Sequence, residues 1–171
     1  MKFKITLKID RKHGDLLPFN YQYEQSAVIY RILAQADTQY SSWLHENGYL
    51  LHERKRFKLF CYSPFIFEKV RPLPEAGCLK IIGERAVWSI SFIPEKSTLE
   101  FIQGIFAHQS FSIGNKKYQV AFDVVGVEAI SMPQLTEQMA FKLCLLFVSS
   151  CMKTTKRNIC HQIIPCLLTA Y

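Results

Sequence analysis

Three side chains on separate stretches of this chain are of the types that acid-base chemistry at a phosphate requires. They are Tyr30 in LPFNYQYEQSAVIY, His45 in SSWLHENGY and Lys58 in RFKLFCYS. Tyrosine and histidine exchange protons near neutral pH, and a fixed ammonium stabilises the extra negative charge of a phosphorane-like transition state. Together the three suit metal-free cleavage of RNA, in which the ribose 2′-hydroxyl attacks its own phosphate. Each also has a plainer reading: Tyr30 as a core tyrosine with a satisfied hydroxyl, His45 as a helix C-terminal residue favoured by the dipole, Lys58 as one cation in a short basic run.

Other chemistries find less support. His13, His45, His52, His108 and His161 are scattered, with no H-x-x-x-H or H-E-x-x-H pairing and no acidic cluster beside them, so neither a metal centre nor a cofactor is expected. GNKK and GER are isolated turns without the spacing of a P-loop or a dinucleotide fingerprint, and no nucleophile elbow is present. The six cysteines, at 61, 78, 144, 151, 160 and 166, form no CxxC pair and read as reduced thiols.

The elements that must position Tyr30, His45 and Lys58 are legible from periodicity. MKFKITLKID alternates apolar Phe3, Ile5, Leu7 and Ile9 with polar residues, as a half-buried strand does. Asn20 is placed to cap a helix from about Tyr21 to Ala36, with a stripe of Val28, Ile29, Ile32, Leu33 and Ala36. Asp37 caps a second helix over about Thr38 to Asn47, ended by Gly48 in the left-handed conformation. ERKRFKLFCYSPFIFEKV reads as strand, with Phe57, Leu59 and Cys61 on one face and Lys58, Phe60 and Tyr62 on the other. Further strands follow in CLKII and AVWSISFI. Ser97 and Glu100 form the S-x-x-E box of a helix to about His108, with apolar Leu99, Ile102, Ile105 and Phe106. The stretch from Phe111 to Ile130 is extended, turning at Gly114 and Asn115. The order predicts an α+β, ferredoxin-like β-α-β-β-α-β domain over residues 1–131, with both helices on one face of an antiparallel sheet. An irregular or helical tail, 132–171, follows, with an apolar helix over about 135–148 as one form.

Composition agrees with a folded basic domain. The chain has 171 residues, with 21 Lys and Arg against 14 Asp and Glu, a net charge of +7 that favours polyanionic partners. The first strand lacks the apolar centre of a signal peptide, and the longest uncharged apolar run, LCLLFVSSCM, is about half of what a membrane span needs. A cytoplasmic protein with no membrane partner is the expectation.

The segments LPFNYQYEQSAVIYRIL, SSWLHENGY and FKLFCYS, in this order and spacing, resemble the amino-terminal domain of the CRISPR-associated repeat-processing endoribonucleases. The N-x-Q-Y opening stands at Asn20 to Tyr23, I-Y at Ile29 and Tyr30, L-H-E at Leu44 to Glu46, and K-L-F-x-Y-S at Lys58 to Ser63. The resemblance implies a metal-independent enzyme that cuts precursor CRISPR RNA within its repeats and leaves 5′-hydroxyl and 2′,3′-cyclic phosphate ends. It implies His45 as general acid or base, Tyr30 activating or orienting the 2′-hydroxyl, Lys58 stabilising the cleaved phosphate, and repeat RNA as partner, with other CRISPR-associated proteins beside it. Arg54, Lys55 and Arg56 would bind RNA backbone, or form a solvated loop. A non-catalytic RNA-binding or assembly module is the alternative function.

Family members continue into a second ferredoxin-like domain with a glycine-rich loop, opening on Leu-Ser-Pro-Ile and, later, Lys-Tyr-x-x-Pro. Here the text becomes KLCLLFVSSCMKTTKRNICHQIIPCLLTAY, crowded with cysteines. A one-base shift at the Leu143 to Cys144 junction permits codons that restore both motifs. The expectation is a frameshifted remnant over 132–171, with doubtful activity for the truncated chain and a surface open to self-association; a genuine divergent tail is the alternative.

Overall fold

The computed structural model describes residues 1–51 and 55–131, together with the backbone of four three-residue strands beyond them; Leu51 and Lys55 are described by backbone alone. The first strand, β1 (Lys2–Asp10), forms as its alternation demands: Phe3, Ile5, Leu7 and Ile9 are buried, and the residues between them are not. A 3-10 turn at Arg11–His13 leads to β2 (Leu16–Pro18) and then to α1 (Gln22–Ala36) and α2 (Thr38–Glu46). The strands β3 (Tyr49–Leu51) and β4 (Lys55–Phe57) form a hairpin. Then come β5 (Phe60–Tyr62), β6 (Ile66–Phe67), β7 (Val70–Leu73), β8 (Cys78–Ile81) and β9 (Arg85–Phe92). After these, α3 (Glu95–Ala107) precedes the hairpin of β10 (Ser110–Gly114) and β11 (Gln119–Ile130).

The main sheet runs β10-β11-β1-β9-β5, with β6 also on β9, and its ladders are antiparallel. This is the fourth-first-third-second order of a ferredoxin-like domain, with β5 and β6 sharing the second position and β10 added at the far edge. One core joins the inward residues of β1, β9 and β11 to Val28, Ile29, Ile32 and Leu33 of α1 and to Phe101 and Ile105 of α3. No described helix is long and apolar enough to cross a membrane.

The expected α+β, ferredoxin-like fold is found, with local corrections. Asn20 does not cap α1: the helix is entered through Tyr21, already helical at φ −66° and ψ −4°, with no side-chain cap bond. Tyr21 is instead anchored by stacking on Phe65 at 5.5 Å and by accepting the Phe65 N–H at 3.1 Å. Asp37 does cap α2, accepting the Tyr40 N–H at 2.8 Å. Ser97 and Glu100 form no capping box, because α3 begins earlier, at Glu95 behind Pro94, and Ser97 is buried against the Tyr40 hydroxyl. The face of α3 is also rotated from expectation: Leu99 and Phe106 are 56% and 61% exposed, while Phe101, Gly104 and Ile105 are buried. Gly104 sets this rotation, since a Cβ there would stand 1.8 Å from the Ile32 carbonyl oxygen. Only that face lets the two helices pack so closely.

CLKII does not extend the main sheet. Its strand β8 pairs with β2 and β7 in a separate three-stranded sheet. In the tail, where irregular or helical structure is expected, Phe141–Leu143 pairs with Leu168–Ala170, and Ser149–Cys151 with Cys160–Gln162. The helix expected over 135–148 thus meets strand at Phe141–Leu143, and the rest of its span lies outside the described residues.

Candidate active site

Tyr30 stands half-buried on the side of α1, and His45 stands exposed in the last turn of α2. The short link at Asp37 folds α2 back along α1, where the Ser41 hydroxyl donates to the Tyr30 carbonyl at 2.8 Å. That fold-back brings the Tyr30 and His45 rings edge to face, with centroids 4.9 Å apart and planes at 82°. Phe60 of β5 closes the other side of Tyr30, also edge to face, at 5.6 Å. Burial raises the Tyr30 phenol above its ordinary 10.0, and the neighbouring Tyr62 pushes it the same way, so the hydroxyl keeps its proton at neutral pH.

Lys58 reaches the same place by a different route. Its ammonium donates to the carbonyls of Leu44 and His45, two acceptors left over at the end of α2. A cation there also complements the negative end of the helix dipole. Two of its three N–H groups are spent on these carbonyls, leaving one for a ligand. Loss of solvation, and then the nearby Arg56, lowers the Lys58 pKa from its ordinary 10.5. Tyr30 and Lys58 are therefore both in contact with His45 at the α2 terminus, Tyr30 through the imidazole ring and Lys58 through the backbone carbonyl.

The continuous strand expected across RFKLFCYS is interrupted, and the interruption aims Lys58. Residues 58–59 lie between β4 and β5, and Leu59 takes the left-handed φ of +55°. Such a conformation costs a residue with a Cβ about 1–2 kcal/mol. It breaks the pleat, so Lys58 no longer shares a face with Phe60 and Tyr62 and turns to α2 instead. The Leu59 carbonyl is held by the Ile93 N–H at 3.0 Å, which ties this bend to the end of β9.

Of the basic run, Arg56 donates to the Asn47 side chain at 2.8 Å, just beyond α2. Lys55 pairs by its backbone with Leu51, and Arg54 lies outside the described residues. No group of three His, Cys, Asp or Glu side chains converges among the described residues.

One supporting residue, Gln25, and one further constraint on Gly48 escaped the sequence reading. Gln25 is fully buried and donates to the Ser63 carbonyl at 2.9 Å, fastening α1 to the segment that follows β5. Its signal was a polar residue one turn before Val28 and Ile29 on the apolar stripe. Gly48 has φ +70°, as its place after α2 predicted, but a Cβ there would also meet the Phe57 carbonyl oxygen at 2.7 Å and Lys58 Cδ at 3.2 Å. That second constraint depends on the β3–β4 pairing and left no mark in local sequence.

The fold has known counterparts. The family described as "CRISPR-associated protein Cas6, N-terminal" matches residues 16–123. No curated protein matches the sequence. Among solved structures, a Cas6-related gene product from Pyrococcus furiosus aligns with a TM-score of 0.72 at 20% identity, over 96% of this chain and 61% of its own. A protein described as a RAMP protein binding different RNA substrates aligns at 0.70 and 21% identity, over 96% and 62%. A CRISPR-associated protein Cas6 aligns at 0.63 and 20% identity, over 100% and 61%. The chain thus spans about three fifths of the length of these structures. With more than half of its residues matched by the family, and the same α+β fold, this chain belongs to the Cas6 family of CRISPR-associated proteins, whose amino-terminal domain it carries.

Proposed function

We propose that this domain acts in CRISPR RNA processing by cutting precursor RNA within its repeats, through attack of a ribose 2′-hydroxyl on the adjacent phosphate. The observation that carries the reading is the meeting of Tyr30, His45 and Lys58 at the end of α2. In this reading the 2′-oxygen loses its proton as it bonds to phosphorus, and the bond to the 5′-oxygen breaks as that oxygen gains one. The products are a 2′,3′-cyclic phosphate and a 5′-hydroxyl. The exposed His45 imidazole moves a proton, as base or acid. Tyr30, protonated at neutral pH, orients the 2′-hydroxyl rather than deprotonating it. Lys58 offers its remaining N–H to the phosphate oxygens as charge builds.

A second reading, a non-catalytic RNA-binding or assembly module, draws on one contact: Tyr30 meets His45 ring edge to ring face, a packing that needs no proton transfer. One assay separates the two. Incubated with cognate repeat RNA in EDTA, the catalytic domain gives a single cut ending in cyclic phosphate, and His45→Ala abolishes it. Cleavage that survives His45→Ala, or that requires magnesium, overturns these roles. Binding without cleavage by the unaltered chain favours the module.

A further inference from the structure

At the opposite corner of the main sheet from the Tyr30 cluster is an open cleft of about 540 Å³. It lies between the 3-10 turn Arg11–His13 and the tip of the β10–β11 hairpin, and is lined by His13, Gly114, Asn115, Lys116, Lys117 and Gln119. No carboxylate is among its lining residues.

The charges around it are already allotted. Lys12 pairs with Asp10 at 3.1 Å, Lys80 with Asp15 at 3.7 Å, and the Arg11 guanidinium donates to the Ile82 carbonyl at 2.9 Å. Asp123 accepts from the Ser110 hydroxyl at 2.8 Å. Lys116 and Lys117, by contrast, have no carboxylate within ion-pair distance among the described residues. Lys117 lies over the Tyr118 ring at 4.9 Å, which limits its wandering. The turn between the lysines and β10 is also fixed: the Asn115 side-chain oxygen accepts the N–H groups of Lys117 and Tyr118, both at 2.8 Å. That leaves the Asn115 amide NH₂ as a further donor beside the cations. Unpaired cations and amide donors on a fixed turn match an anion, and a phosphodiester supplies both charge and several acceptor oxygens.

We propose that this cleft binds a backbone phosphate of the RNA strand, a second anchor remote from the Tyr30 cluster; the inference rests on the RNA-processing reading given above. The register fixes the separation. The candidate active site adjoins β5, whose Cys61 lies opposite Ser91, and Ser91 lies opposite Lys2 at the start of β1. The cleft adjoins the other end of β1, where Asp10 lies opposite Ala121. Along that strand the two lie roughly 27 Å apart, and the three to four strand spacings of ~4.8 Å between β5 and the β10–β11 hairpin add roughly 17 Å across it. The diagonal is roughly 32 Å, or about nine nucleotides of a stacked strand at ~3.4 Å each.

The test uses the full chain and single-stranded repeat RNAs lengthened one nucleotide at a time on either side of the cut, with fluorescence anisotropy read at several salt concentrations. Affinity of the unaltered chain should step up once one arm reaches about nine nucleotides. Lys116→Ala with Lys117→Ala should remove that step, weaken binding roughly fivefold per lost phosphate at 0.1 M salt, and make the salt slope shallower by about 0.7 for each. Lys116→Arg with Lys117→Arg should restore the step, and circular dichroism confirms that each variant folds. If the unaltered chain binds and cuts RNA but the alanine variant matches it in affinity and slope at every length, the cleft is no anchor. If the unaltered chain has no RNA affinity, the proposal and the reading beneath it both fail. Inorganic phosphate competing only with the long RNAs would support the site; equal competition with short ones would count against it.

Discussion

Replacing Gly48 tests how the geometry of the candidate active site is built. Its φ of +70° costs a residue with a Cβ about 1–2 kcal/mol. The added carbon would also stand 2.7 Å from the Phe57 carbonyl oxygen and 3.2 Å from Lys58 Cδ. The nearer atom is backbone, so relief requires β4 to move outward, at about 1–3 kcal/mol for a local overpacking of this kind. Gly48→Ala should therefore lose about 2–5 kcal/mol in urea denaturation. The same movement draws Lys58 away from the Leu44 and His45 carbonyls, and an error of about 1 Å in a positioned group costs on the order of 100-fold in rate. Single-turnover cleavage of repeat RNA should fall by about that factor with the cut position unchanged. Asparagine tolerates the left-handed conformation better but keeps the Cβ, so Gly48→Asn should recover about 1 kcal/mol of the stability and little of the rate. A Gly48→Asn protein as stable and fast as the original would refute the steric argument and leave only the backbone conformation. A Gly48→Ala protein indistinguishable from it would refute both.

Two further outcomes follow from the same contacts. The lowered Lys58 pKa means that its charge is present at neutral pH and lost as pH rises toward, but below, the ordinary 10.5, while the raised Tyr30 stays neutral above 10.0. The cleavage rate, corrected for uncatalysed RNA breakdown, should fall on the alkaline side before 10.5, and Lys58→Arg should move that fall to higher pH; an unmoved limb assigns it elsewhere. Gly104→Ala should destabilise the fold by about 1–3 kcal/mol in urea, because the Ile32 carbonyl must be pushed aside, and a variant of unchanged stability would show that the α1–α3 approach is looser than described.

Local sequence by itself determined the strands and helices whose faces differ in polarity. The alternation of β1 fixed which of its residues are buried, Asp37 and Gly48 marked the two ends of α2, and Gly114 and Asn115 marked the β10–β11 turn. These are period and capping effects, set within a few residues, and the motifs carried Tyr30, His45 and Lys58 with them. Contacts distant in sequence decided the rest. The rotation of α3 follows from Gly104 against Ile32, and the buried Gln25 is intelligible only with Ser63 as its partner. Placing CLKII in the separate sheet required β2 and β7 beside it. Most consequentially, a strand pattern put Lys58 on the face of Phe60 and Tyr62, whereas the left-handed Leu59 turns it to the end of α2. Periodicity reports which face an element buries; the unfilled carbonyls of one helix and the bend of a distant strand, which brought three scattered residues to one place, are properties of packing.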